Sequence, residues 1–131
     1  MSLDLESLTG IRERDELIRK LQELMRKEGI AYIVRATVSI YTSLLRELAS
    51  ELKCRCNVDE VITKLSVTLN IVLTMAHEKN SYKLLSIALR LMNDGLEAIS
   101  KLKNNPNDCR PIDELSKKVD EYIEVADKVR D

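Results

Sequence analysis

The sequence predicts an all-α protein: a five-helix antiparallel up-and-down bundle with short loops, helices two to four central and helices one and five outer. Three observations lead there. Apolar residues recur at steps of three and four through most of the chain, the spacing of a helix with one dry side. Only three glycines and two prolines punctuate 131 residues. The breakers that do occur span a few residues each, and short connections between long helices make sequential neighbours reverse direction.

Leu3, Leu5, Leu8 and Ile11 are irregularly spaced around Thr9-Gly10. Residues 1–9 therefore read as an N-terminal arm and 10–131 as one helical-bundle domain. Regular periodicity starts at Ile11 and runs through Leu17, Ile18, Leu21, Leu24 and Met25, with Gly29 as a C-terminal cap. Next, Ile30–Lys53 carries two signals. Val34, Ala36, Val38 and Ile40 alternate as in a strand, while Ile33, Ala36 or Thr37, Ile40, Leu44, Leu48 and Leu52 make a helical stripe. No turn residue separates the β-branched part from the helical LLRELASEL, so continuity predicts one helix of over 20 residues.

Asn57–Ala76 is the driest stretch. From Leu65 to Ala76 it has no charge, in a chain with 33% charged residues. Asn57 followed three residues later by Glu60 suggests a capping box. One face carries Val61, Leu65, Leu69, Val72 and Leu73. Val67, Ile71 and Met75 form a second edge, beside a polar stripe of Ser66, Asn70 and Thr74. Two cover helices do not comfortably hide both, which makes Val67, Asn70, Ile71, Thr74 and Met75 the expected interface. Intrahelical bonding of the hydroxyls one turn back is the alternative.

Helix four is expected over Tyr82–Lys103, with Leu84, Leu85, Ala88, Leu91, Met92 and Ile99 inward and a helix contact close to Gly95. Asn104–Asp108 breaks the chain, Pro111 suits a first turn, and Ile112, Leu115, Val119, Tyr122, Ile123, Ala126 and Val129 define helix five.

Twenty-one basic and 22 acidic residues give a net charge of -1, so the totals provide no excess for phosphate backbones or acidic membranes. The start MSLDLESLTG has no basic leader, and the longest uncharged run falls short of the ~18–20 residues that span a bilayer. The expectation is a soluble, cytoplasmic chain without a membrane span, or a virion component if viral. Abundant Leu, Ile, Val, Lys and Glu with a single Gln resemble the hyperthermophile pattern, against which stand seven asparagines.

Chemistry-bearing residues are few. In an up-and-down bundle the turns holding Cys54, Cys56 and Cys109 share one end. A disulfide from Cys54 or Cys56 to Cys109 would close a loop of roughly 55 residues, worth about 4 kcal/mol at most; three ordinary thiols are the alternative. The CRC spacing is CxC rather than the CxxC usual for zinc, and the only histidine, His77, sits at the opposite end. No metal or cofactor is expected. Thr74 stands where a di-iron bundle motif would need a glutamate three residues before His77. Acid clusters at Glu13/Asp15/Glu16 and Asp120/Glu121/Glu124/Asp127 are interleaved with Arg12, Arg14, Lys117, Lys118 and Lys128, the pattern of a solvated face. Gly-rich phosphate loops, nucleophile elbows and calcium loops are missing.

The expected function is therefore non-enzymatic: a helical structural or assembly protein acting as a homo-oligomer, or as a small subunit of a larger complex or virion, from a hyperthermophile or its virus. The alternative is a nucleic-acid-associated accessory subunit using a local patch of Arg12, Arg14, Arg19, Lys20, Arg26 and Lys27 on helix one.

Overall fold

A computed structural model describes residues 8–129; most of the expected arm, residues 1–7, lies outside them. Among the described residues the elements are α1 (Arg14–Glu28), α2 (Ile30–Cys54), α3 (Val58–Glu78), α4 (Tyr82–Asn104), α5 (Arg110–Lys117) and α6 (Val119–Ala126), with no strand. The alternating stretch of α2 is thus helical. With no turn residue to break the ladder, β-branched residues continue the helix that Leu44–Leu52 dictates. Leu8, assigned to the arm by its irregular spacing, is fully buried in the core.

Each connection has an identifiable cause. Gly29 alone joins α1 to α2: at φ 90° its N–H returns to the Met25 carbonyl, while its own carbonyl accepts from Ile33. Asn57 does not form the expected capping box, because its side chain makes no cap bond. Its backbone N–H instead donates to Glu51 Oε2 at 3.1 Å, drawn back by the turn that ends α2. Ser81 does cap α4, accepting from the Leu84 N–H. Before α5, the Asp108 carboxylate takes the Arg110 backbone N–H and its guanidinium, which holds that carboxyl down at about 2. The expected fifth helix is interrupted once, at Lys118. There the ladder tightens to three-residue bonds, Lys118 N–H to Leu115 and Glu121 N–H to Lys118.

Neither cysteine of the CRC turn pairs with Cys109, as the long-loop staple required. Cys54 and Cys56 are bonded to each other, and Cys109 is exposed and free. The reason is local: Arg55 adopts the left-handed conformation, which folds the chain back and sets the two Cα atoms 5.3 Å apart.

α2 packs against all five other helices, and its buried residues from Ile30 to Ala49 form one broad face covering roughly half of its circumference at 3.6 residues per turn. It meets α4 closely at Gly95. A Cβ there would lie 2.7 Å from Cε1 and 2.8 Å from Cζ of buried Tyr41, nearer still to the hydroxyl. From the other side, α4 is clasped by α5 and α6. Asp94 accepts the Tyr122 hydroxyl and the Lys118 ammonium (3.3 Å), and Arg90 lies over the Tyr122 ring while pairing with Glu121. Burial first, then the Asp94 bond, pushes the Tyr122 hydroxyl well above its ordinary pKa of 10.0.

Two outcomes follow. Gly95→Ala gains about 1 kcal/mol of helix propensity but overpacks a buried ring at a cost of about 1–3 kcal/mol. Chemical denaturation should show a net loss, partly restored by adding Tyr41→Phe; a stabilised G95A would refute the contact. The folded Tyr122 hydroxyl holds its proton more tightly than the unfolded one, so its contribution is complete below pH 10 and drains away as pH rises beyond it. Tyr122→Phe should therefore cost about 1–3 kcal/mol at neutral pH and flatten the alkaline limb of the stability curve.

Candidate functional site

α4 has two dry sides and one charged side. Leu84, Ile87, Ala88, Leu91, Gly95, Ala98 and Leu102 are buried. Beside them Leu85 (37% exposed), Leu89 (49%), Met92 (39%) and Leu96 (58%) stand in solvent, preceded by Tyr82 (88%). The sequence placed Leu85 and Met92 inward; the buried stripe lies one residue away, because Gly95 turns toward Tyr41 and carries the other side chains round with it. Up to Ile99 the charges keep to the remaining side, and Lys103 closes the outward stripe in the last turn. Lys83 donates to the Lys128 carbonyl, Arg90 and Asp94 engage α5 and α6, and Glu97 pairs with Lys101. Between the outward leucines come only Ser86, Asn93 and Ser100. Five helical turns therefore present an uncharged surface.

α3 extends it. Leu73 is exposed and shares a 220 Å³ depression with Tyr82 and Leu85. It also borders a second groove of about 500 Å³ between α3 and the start of α1, where Val67, Asn70 and Thr74 face Ile11, Leu17 and the Arg12 and Arg14 side chains. Three of the five expected interface residues thus open on the surface. The other two do not: Ile71 and Met75 are fully buried. α1, α2 and α4 all pack on α3, and three neighbours cover a second helix side that two would have left bare.

Most of the hydroxyls have a local role. Thr63, Ser66 and Thr68 on α3 donate to the carbonyls of Asp59, Ile62 and Lys64. On α2, Thr37 bonds to Ile33 and Thr42 to Ser39. Thr37 and Thr68 are fully buried, where an unmade bond would cost about 1–3 kcal/mol. For these residues intrahelical bonding is therefore what the structure contains.

The remaining candidates do not converge. His77 is exposed on the groove rim, and its neighbour Glu78 accepts from Gln22 instead. Of the helix-one basic residues, Lys20 is paired with Glu16 at 3.1 Å and Arg12 donates to the Thr9 carbonyl, while Arg14, Arg19, Arg26 and Lys27 are exposed among acids. The carboxylates of Asp120, Glu121, Glu124 and Asp127 are also on the surface. Among the described residues no helix is long and apolar enough to cross a membrane. No family model, curated protein or solved structure matches the chain.

The outward α4 stripe does leave a signal in the sequence: Tyr82, Leu85, Leu89, Met92 and Leu96 step three and four without a charge. Periodicity marks two adjacent stripes and does not say which one faces in. The burial contrast has a direct readout in urea unfolding. Met75→Ala should cost about 2–5 kcal/mol, whereas Leu96→Ser, measured at dilution, should stay within about 0.5 kcal/mol.

Proposed function

We propose that this chain is a non-enzymatic assembly protein that works by self-association through the uncharged face of α3 and α4. One observation carries the reading: in a chain with 33% charged residues, Leu73, Leu85, Leu89, Met92 and Leu96 are all exposed, and the α4 stripe steps from Leu85 to Leu96 without a charge. Soluble proteins rarely leave contiguous apolar surface of this kind uncovered.

The pattern favours a second copy as the cover. The steps from Tyr82 through Leu85, Leu89, Met92 and Leu96 to Ile99 read the same from both ends. A copy laid antiparallel across a two-fold axis would set Leu85 against Leu96 and Leu89 against Met92. Flanking Ser86, Asn93 and Ser100 bring no like charges together. Burying the remaining exposed part of each large apolar side chain contributes about 1 kcal/mol, hence about 12 kcal/mol for six on each copy. Association costs at least about 4 kcal/mol, which leaves at most about 8 kcal/mol and a Kd of about micromolar at the tightest.

In the same reading the helices alternate in direction, α2 to α4 lie inside, and α1 and the α5–α6 segment lie outside. Connections as short as Gly29, residues 55–57 and residues 79–81 support that topology. A role as a small subunit of a larger complex or virion uses the same face with a different occupant.

Light scattering on the full chain at tens of micromolar should give a dimer or larger. Leu89→Glu with Leu96→Glu should return a monomer of unchanged helicity. A monomeric wild-type chain at that concentration overturns the proposal.

A further inference from the structure

The turn that ends α2 is built around Glu51. Its carbonyl accepts the backbone N–H groups of Arg55 and Cys56, and its Oε2 accepts the N–H of Asn57 at 3.1 Å. That last bond fixes the carboxylate beside the sulfurs, with Oε2 3.4 Å from Cys54 Sγ. One donor atom each from Glu51, Cys54 and Cys56 lies within 4.8 Å of the others. Both cysteines are exposed.

We propose that this turn is a redox-gated metal site. When the Cys54–Cys56 bond is reduced, Cys54 Sγ, Cys56 Sγ and Glu51 Oε2 bind a thiophilic dication of the zinc class, with water as fourth ligand. The inference is independent of the α3–α4 face.

Geometry supports it first. Around a tetrahedral ion with metal–sulfur bonds of about 2.3 Å and metal–oxygen bonds of about 2.1 Å, the sulfur–oxygen edge is about 3.6 Å and the sulfur–sulfur edge about 3.8 Å. The Cys54–Glu51 separation of 3.4 Å is already close to that edge. The Cα separation of 5.3 Å suits a disulfide and leaves the two thiolates able to part by side-chain rotation alone. Charge supports it second. Two thiolates and a carboxylate outweigh the neighbouring Lys53 and Arg55, and the C-terminal end of a 25-residue helix favours a cation.

The gate is chemical. In the disulfide the sulfurs are joined and are not thiolates. A dithiol reductant transfers two electrons and two protons to the Cys54–Cys56 bond, giving two thiols and closing to its own cyclic disulfide. The arriving dication then displaces both thiol protons to solvent. Two cysteines at CxC spacing do not make a zinc site by themselves. The third donor, three residues upstream of Cys54, comes from the helix.

The test uses the full chain carrying Cys109→Ser, which removes the third thiol. After phosphine reduction without oxygen, titration with Cd²⁺ should raise the sulfur-to-metal charge-transfer absorbance to a plateau at one equivalent. The oxidised protein should give none. Glu51→Gln should weaken binding about tenfold or more, in line with the losses seen when metal-site support is removed. Cys56→Ser should abolish the plateau, with circular dichroism reporting whether each variant keeps its helicity. No plateau for the reduced chain at tens of micromolar Cd²⁺ overturns the site, as does binding that is unchanged in Cys56→Ser or Glu51→Gln.

Discussion

The contact of Tyr41 with Gly95 is the constraint on which the rest of the structure depends. A buried aromatic ring on α2 needs a backbone without a Cβ on α4, and Gly95 is the single glycine of that helix. Meeting that need fixes the rotation of α4 about its axis. Asp94, one residue away, is then presented to Tyr122 and Lys118, whose bonds pin the same rotation from the other side. Once both are in place, the side chains that α4 shows to solvent are no longer free to vary. Leu85, Leu89, Met92 and Leu96 are outside because Gly95 is inside.

The charges complement this arrangement. Ion pairs tie neighbouring elements at Arg46–Asp113, Lys64–Glu47 and Arg90–Glu121, all with exposed partners. Pairs of that kind are worth between zero and about 1 kcal/mol each. They orient elements more than they stabilise them. Their distribution says more than their number: α4 sends its paired charges toward α5 and α6 or into its own Glu97–Lys101 pair, and α3 has none between Lys64 and Glu78 apart from His77. An uncharged surface is left where these two helices meet solvent, which is the basis of the assembly reading.

How much of this could be read from residues differs by feature. Helix existence was legible at Ile30–Cys54 even against its β-branched alternation, because nothing interrupts the chain before LLRELASEL. The close approach at Gly95 was legible as well, since a glycine in a long helix interior usually marks one. The face of α4 was not, for two leucine stripes one residue apart have equal periodicity. Ile71 and Met75 were misassigned for a related reason: the apolar stripe says that a side is covered, not whether the cover comes from this chain. The cysteine pairing was misread because nothing in CRC announces that Arg55 turns left-handed, and Glu51 carries no spacing signal toward either sulfur.

The sequence by itself determined which segments are helical, where the first four stop, and that α3 would be dry on more than one side. Those are local properties, set by side-chain periodicity, by breakers such as Gly29 and Asn104–Asp108, and by the absence of charge from Leu65 to Ala76. Only the tertiary structure decided which dry surfaces are used up within the chain and which stay open. That choice rests on how many neighbours each helix has and on the rotation that a single contact, Tyr41 on Gly95, imposes. Such a contact joins residues 54 positions apart, and no local pattern records it.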